Sequence, residues 1–345
     1  MAISQAVIDD LARKGAERGV DLRPGLELVE GRLRTTADSE QPFVADVGRY
    51  LFDAGGKRFR PMLVLLTGML GGAPGTDPDL VDAGVIVELV HLSTLYHDDV
   101  IDAAEVRRGA PATHVKWSNT VAILTGDFLL ARASELSAAL GVEVTRIMAR
   151  TIADLCQGQI REVQGSAEAA NHGAPEVTPD RHHYLRVIEE KSASLIAASC
   201  RLGALLSGQS REAIAVLTDY GWRLGMSFQL ADDVLDVASL PSESGKVPGT
   251  DLREGVRTLP VLLALEAEGE ASELVGLLRE PTDANVAAAL DILRDHPTLE
   301  LARDAARLEA VKAKRVLGDL PAGLAEAPAL DGLRYLADYA ANRVG

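Results

Sequence analysis

The 345-residue sequence predicts an all-α fold, on three observations. Ala, Leu, Val, Glu and Arg dominate while aromatic residues make up only 4%, a balance that favours helices over strands. Apolar residues recur at helical spacing through long segments punctuated by Gly/Pro-rich stretches. No run shows strand alternation, and no composition shift divides the chain cleanly.

Residues 1–22 are polar and weakly amphipathic and read as an N-terminal arm, frayed or partly disordered, ahead of a helical domain over 23–345. Helical spacing runs from 26 to 52 and stops at Gly55-Gly56. Next comes Gly55-Gly56-Lys57-Arg58-Phe59-Arg60-Pro61, three cations in four residues, before an apolar helix over 62–70. A basic turn at a helix N-terminus can bind an anion through side chains, backbone N–H groups and the helix dipole; taken alone, it is as readily a solvated loop. Residues 71–79 are a loop, and from about 80 a helix with an apolar run over 83–96 leads into His97-Asp98-Asp99-Val100-Ile101-Asp102. His91 lies two turns before Asp98, where a lone histidine is more often packed or exposed than functional. Arg107-Arg108-Gly109-Ala110-Pro111 is a loop whose cations can fold back towards those carboxylates.

Two long helices follow over 121–140, containing Gly126-Asp127, and 142–160. Residues 165–178 are a surface loop, and Thr178-Pro179 looks like an N-cap with proline in the first turn. His182 and His183 fall in that turn, on the surface. Lys191-Ser192 opens the apolar stretch 193–206, so the lysine either points into a cleft or snorkels. The loop over 239–255 carries Lys246; it is not a P-loop, because Val247 follows Gly245-Lys246 and the upstream glycine is missing. Residues 259–266 and shorter segments complete the helices.

The chemistry concentrates in the acidic clusters. Asp98 and Asp102 are one turn apart and share a face, with Asp99 on its shoulder. Three unpaired carboxylates there repel, so a cation belongs between them. The spacing recurs at Asp232, Asp233 and Asp236, at the end of another apolar segment, and it is the only repeat in the chain. Two such helix ends facing each other form an oxygen-rich cage for hard divalent cations. Mg²⁺ fits best, since it takes one or two carboxylates plus substrate phosphates and keeps its remaining waters.

The formal charge of −16 argues against nucleic acid as a partner, but not against a phosphorylated small molecule brought in by metal ions and local cations. Cys156 and Cys200 are too few for a disulfide framework. The first ten residues lack the pattern of a signal peptide, and no apolar run reaches the length of a membrane span, 62–70 being the strongest. A soluble, cytoplasmic protein is expected.

Gly56-Lys57-Arg58-Phe59-Arg60-Pro61, His91, Asp98-Asp99-Val100-Ile101-Asp102, Arg107-Arg108-Gly109, Gly126-Asp127, Lys191-Ser192-Ala193, Phe228-Gln229-Leu230-Ala231-Asp232-Asp233-Val234-Leu235-Asp236 and Gly245-Lys246 form an ordered set. That set resembles the motifs of the trans-isoprenyl (polyprenyl) diphosphate synthases, from about residue 25 to the C-terminus. The resemblance implies the isoprenoid synthase fold, a single large helical bundle around a central cleft with two DDxxD motifs, usually a homodimer. It implies Mg²⁺, up to three per site, on Asp98, Asp102 and Asp232, with Asp99, Asp233 and Asp236 close by or acting through water. Arg107, Lys191, Ser192, Gln229 and Lys246 then hold an allylic diphosphate. Gly56, Lys57, Arg60, His91 and Arg108 hold isopentenyl diphosphate, and Asp98, Asp102, Asp232, Lys191 and Arg107 form the catalytic set. Two departures remove no charge: Ser192 stands where threonine is commoner, and Lys246-Val247-Pro248-Gly249 moves the loop proline by one.

Chain length is expected to be set one turn below the cage, at Ser93 and Thr94, with Val90, Val87 and Ile86 deeper. In the family that this chain resembles, bulky residues at these places stop growth early. These are small or non-aromatic, which implies a long product of C30–C50, such as a quinone side-chain precursor. The alternatives are a geranylgeranyl (C20) synthase, a class I terpene cyclase and a non-catalytic partner subunit. A cyclase leaves Lys57, Arg60 and His91 unexplained, and a partner subunit would be expected to have lost one acidic cluster.

Overall fold

The computed structural model describes residues 20–166, 173, 177–239, 248–269 and 272–343. Helices account for most of them, as expected for an all-α chain. The first is α1 (Arg23–Thr36), and α2 (Pro42–Asp53) follows after a break. The expectation of uninterrupted helical spacing over 26–52 is thus corrected. Pro42 has no N–H for the ladder and its ring would clash with a preceding helical turn, so it starts a new helix. Val20 and Leu22, just before α1, are buried in the main core.

The helix expected over 62–70 begins earlier, as α3 (Phe59–Leu70), with Pro61 in its first turn, where a missing N–H costs little. Asp77 caps α4 (Pro78–Ile101), accepting from the backbone N–H of Asp79 and Leu80 at 3.0 and 3.3 Å. By length and composition α4 is long and apolar enough to cross a membrane, contrary to the sequence expectation, but 72% of its apolar window is buried inside the fold. Arg107 to Pro111 is not a plain loop either. Among the described residues the only strands are β1 (Val106–Arg107) and β2 (Ala110–Pro111), an antiparallel hairpin turning on Arg108-Gly109. Both turn residues have positive φ, +54° and +77°, as a two-residue hairpin loop requires.

A short α5 (Thr113–Lys116) leads to α6 (Asn119–Ala139), capped by Ser118, and then to α7 (Val142–Gly165). The next cap is Asp180 rather than Thr178: its carboxylate accepts from His183 N–H at 2.7 Å and opens α8 (Arg181–Ile188). A single π-helical turn, Glu189–Ala193, joins α8 to α9 (Ser194–Leu206). The longest helix, α10 (Arg211–Ala238), carries the second acidic cluster at its C-terminal end. Part of the segment expected as a loop over 239–255 is helical, α11 (Thr250–Arg253). The chain closes with α12 (Leu259–Glu268), α13 (Glu273–Arg279), α14 (Asp283–Asp295), α15 (Thr298–Val316), α16 (Ala322–Ala325) and α17 (Ala329–Asn342).

The principal packing runs as a continuous train, α6 on α4, α4 on α3, α3 on α9, α9 on α10 and α10 on α15. Two apolar cores result. The larger draws on α1–α4, α6, α7, α9, α10 and α17, and the smaller lies under α8, α12, α14 and α15. They meet along α10, which gives Leu217, Tyr220, Leu224 and Phe228 to one and Met226, Leu230 and Val234 to the other. The DDxxD ends of α4 and α10 contribute to one cavity beside this junction, lined by Asp102 and Asp233 together.

Candidate active site

Three different environments divide the first acidic cluster. Asp102 lines the cavity. Asp98 is pushed up to about 6 by burial and by the nearby Asp102 and Glu162, against the pull of Lys191 and Arg107. Asp99 turns away: it is fully buried, its Oδ1 accepts from Arg107 Nε at 2.5 Å, and its Oδ2 has no hydrogen-bond partner among the described residues. Burial raises Asp99 and Asp102 as well.

The second cluster is equally divided. Asp232 is ion-paired with Arg343, beyond the end of α17, and that guanidinium also lies 5.5 Å from the centroid of the Phe228 ring. Asp233 is buried and accepts from the Tyr184 hydroxyl at 2.5 Å and from Gln229 Nε2 at 2.8 Å. Burial pushes it up to about 7. Asp236 accepts from the backbone N–H groups of Thr250 and Asp251, both at 3.2 Å, and so fixes the start of α11.

Lys191 and Ser192 are delivered by the π turn. Gly158 on α7 and Gly225 on α10 make room for it: a Cβ at Gly158 would sit 2.5 Å from Lys191 N, and one at Gly225 2.7 Å from Ala193 Cα. Both residues line the cavity, Lys191 paired with Glu162 and Ser192 Oγ donating to Gln229 Oε1 at 2.7 Å. Burial works against the Lys191 ammonium, but Glu162, Asp98 and Asp102 outweigh it and hold the lysine above its ordinary range. Lys246 lies outside the described residues.

A second, cationic cluster forms where the basic turn meets α4 and the hairpin, with Arg60 and Arg108 beside His91. Arg58 does not belong to it functionally. Its side chain is 8% exposed and bonds to Glu30 at 2.7 Å, to Glu88 at 3.0 Å and to the Phe52 carbonyl. Arg60, two residues on, is also buried, but its Nε has no partner among the described residues. Burial, with Arg108 adding repulsion, lowers it to about 10. Arg108 donates to the carbonyls of Leu51, at 2.7 Å, and Gly55. Gly56 has to be small, since a Cβ there would meet the guanidinia of Arg58 and, at 2.9 Å, Arg108. His91 is held neutral, well below its usual range, by burial and by Arg60 and Arg108. Lys57 is exposed at the rim.

On the expected chain-length side, Ser93, Val90, Val87 and Ile86 are fully buried, and Ser93 Oγ has no partner among the described residues. Thr94 is half-buried, its hydroxyl donating to the His91 carbonyl at 2.8 Å.

Sequence reasoning missed Glu162, Tyr184, Asp251, Glu254 and Arg257, which line the cavity with Asp102 and Lys191. Glu162 carried a signal, four residues after a glycine placed mid-helix. Glu254 is raised to about 7 and Asp251 well above its ordinary value, burial being the main cause in both. Carboxylates therefore outnumber cations around the cavity, and apart from His183, whose Nε2 is engaged with the Arg161 carbonyl at 3.0 Å, the ionisable groups able to ligate a metal offer oxygen. That composition fits hard divalent ions. Among the described residues no three acidic, His or Cys side chains converge closely enough to hold an ion unaided, so waters and a ligand's own oxygens would have to complete its shell.

Comparisons with known proteins bear on the family and the fold. The sequence profile of the family described as Polyprenyl synthetase matches residues 41–293. The nonaprenyl diphosphate synthase of Mycobacterium tuberculosis is 43% identical over 327 residues, covering 94% of each chain. The crystal structure of a decaprenyl diphosphate synthase from Rhodobacter capsulatus superposes with a TM-score of 0.84 at 32% identity, over 98% of this chain and 99% of that one. A polyprenyl synthase from Caulobacter crescentus, complexed with calcium and isoprenyl diphosphate, gives 0.84 at 30% identity, over 97% and 98%. On this profile match, these near full-length likenesses and the all-α fold with paired acidic helix ends, the chain belongs to the polyprenyl synthetase family.

Proposed function

We propose that this prenyltransferase condenses isopentenyl diphosphate with an allylic diphosphate and repeats the step to a long all-trans product of C30–C50. The observation that carries it is the presence of two clusters of opposite sign: a carboxylate-rich cavity at the helix ends, and a buried cationic group in which Arg60 Nε has no partner among the described residues. A single diphosphate substrate, as in a cyclase, leaves the cationic cluster without use. Retention of all six Asp speaks against a non-catalytic subunit.

Asp98, Asp102 and Asp232 would hold Mg²⁺, with Asp99, Asp233 and Asp236 supporting them. When bound, Mg²⁺ neutralises the allylic diphosphate and makes it a better leaving group. Lys191 and Arg107 would stabilise the charge that grows on the departing diphosphate, and Lys246, Ser192 and Gln229 would orient it. In the cationic cluster Arg60, Arg108 and Lys57 bind the diphosphate of isopentenyl diphosphate, Gly56 lets it approach the backbone, and neutral His91 donates an N–H without adding charge. The allylic C–O bond breaks with its electron pair going to diphosphate. The isopentenyl double bond forms the new C–C bond, and the proton then lost passes to the released diphosphate. Ser93, Thr94 and Val90 set chain length by leaving the growing end unobstructed.

A homodimer is part of the proposal, supported by Ile123, Leu124 and Ile160, which are 43%, 61% and 59% exposed on α6 and α7. A cytoplasmic location fits two free cysteines. The test is incubation with labelled isopentenyl diphosphate, Mg²⁺ and, separately, geranyl, farnesyl and geranylgeranyl diphosphates. Products of thirty carbons or more are expected. A stop at fifteen or twenty refutes the long-chain assignment, and no incorporation with any primer refutes the synthase.

A further inference from the structure

Behind Ser192 runs an unbroken series of hydrogen bonds that the roles above do not explain. The Tyr184 hydroxyl donates to Asp233 Oδ2 at 2.5 Å, Gln229 Nε2 donates to Asp233 Oδ1 at 2.8 Å, and Ser192 Oγ donates to Gln229 Oε1 at 2.7 Å. Three elements meet here, α8 with Tyr184, the π turn with Ser192, and α10 with Gln229 and Asp233. All four residues line the cavity.

Donor and acceptor chemistry fixes the polarity of the series. Both Asp233 oxygens accept, Oδ2 from the Tyr184 hydroxyl and Oδ1 from the Gln229 amide nitrogen, which therefore faces Asp233. Its oxygen then faces Ser192, and the serine hydroxyl has to donate to it. The proton of Ser192 is thereby committed away from the reacting centre, and its lone pairs are left for the cavity. Tyr184 is the end stop: it is 5% exposed and packed in the smaller core with Ile188, and its hydroxyl donates to Asp233 Oδ2. Without that donor the carboxylate is free to rotate, the Gln229 amide can flip, and the serine proton can turn into the cavity.

We propose that Tyr184 is a positioning residue for prenyl transfer, acting through Asp233 and Gln229 to hold the Ser192 hydroxyl with its lone pairs towards the allylic carbon that becomes cationic. The proposal rests on the prenyltransferase reading above. A lone pair held in place before the cation forms stabilises the transition state more than the neutral ground state, so the effect belongs in kcat rather than KM.

The experiment is a double-mutant cycle of Tyr184→Phe and Ser192→Ala, with kcat and both KM values measured and folding checked by thermal melting. Tyr184→Phe is expected to lower kcat about tenfold with both KM values within about twofold, the scale of one hydrogen bond to a charged group. In the Ser192→Ala background the same change should cost less than about twofold, whereas Ser192→Thr, which keeps a hydroxyl, should retain the full sensitivity. An equal loss in both backgrounds, or a loss confined to KM, overturns the relay. If Tyr184→Phe does not fold, 3-fluorotyrosine at position 184 strengthens the donor while keeping the ring; it should alter kcat in the otherwise wild-type enzyme and not in Ser192→Ala, and an equal change in both overturns the relay. Failure of the wild-type protein to elongate any primer overturns the underlying reading instead.

Discussion

Arg58 and Arg60 offer the most discriminating test, because residues two apart in one basic turn should respond in opposite directions. Arg60 is lowered from its ordinary range to about 10 by burial and by Arg108. A base whose folded pKa lies below its unfolded value destabilises the folded state wherever both forms are protonated, which includes pH 7. At 1.36 kcal/mol per pKa unit, the charge costs about 3 kcal/mol, to order of magnitude. Arg60→Met keeps most of the stem and removes the charge, so the ligand-free protein should melt a few degrees higher. Arg58→Met instead strands Glu88, which is 3% exposed, and breaking such a buried pair costs about 3–5 kcal/mol. Melting curves with and without inorganic pyrophosphate read both effects. Pyrophosphate should raise the wild-type midpoint and leave Arg60→Met nearly unmoved, with KM for isopentenyl diphosphate up roughly ten- to a hundredfold, the scale of charge-assisted hydrogen bonds. If Arg60→Met melts as low as Arg58→Met, or keeps the wild-type KM, Arg60 is a structural residue and the anion-site assignment fails.

Other outcomes follow from the same geometry. Asp98→Ala should reduce turnover by orders of magnitude without lowering the melting temperature of the metal-free protein, since it relieves crowding with Asp102 and Glu162; near-normal turnover would remove the metal role. Ser93→Phe should shorten the product, and an unchanged distribution of lengths would place the growing chain elsewhere. Ser93→Ala, which deletes an unpartnered buried hydroxyl, should stabilise the fold by about 1 kcal/mol in denaturant unfolding. Glu254, with a folded value near 7 against 4.5, binds protons more readily in the folded state, so without metal the melting temperature should rise as pH falls from 8 towards 6.5. His91 works the other way, its folded value lying well below 6.5, so its contribution is lost as pH falls further. The rise should therefore level off in the wild type and continue to about pH 5 in His91→Gln; stability that increases from pH 6.5 to 8 would contradict the Glu254 assignment, and identical profiles in the wild type and His91→Gln would contradict that of His91.

The sequence revealed the acidic helix ends because carboxylates that finish an apolar helix need a cation, and periodicity alone places Asp98 and Asp102 on one face. It set Asp99 on the shoulder of that face but could not show that Asp99 turns away from the cavity. Which carboxylate turns inward depends on Arg107, and Arg107 is aimed by a hairpin whose strands are too short to show alternation. The basic turn was visible as an anion site, yet nothing local distinguishes Arg58 from Arg60. The difference arrives from α1 and α4, whose Glu30 and Glu88 form direct ion pairs with Arg58, whereas Arg60 feels Glu88 only through space. The π turn at Glu189–Ala193 was hidden for a similar reason: its residues are ordinary helix formers, and it sits where Gly158 and Gly225, far away in sequence, make room for it.

The cations closest to the acidic clusters are already spoken for. Lys191 pairs with Glu162, Arg107 with Asp99 and Arg343 with Asp232. A divalent cation arriving alone has to compete with a protein cation for carboxylates, and a diphosphate arriving alone has to compete with carboxylates for the same protein cations. Arriving together, they exchange partners: carboxylates pass to the metal and cations to the phosphates, and no charge is left buried and unpaired. Metal and diphosphate should therefore bind with strong positive coupling, each raising the affinity for the other by the same factor. Thermal shifts with Mg²⁺ alone, pyrophosphate alone and both together measure it. A combined shift well above the sum of the separate ones is expected, and Arg343→Ala, which leaves Asp232 without its ion pair, should increase the shift given by Mg²⁺ alone. Additive shifts in the wild type would mean that these ion pairs do not gate access to the carboxylates.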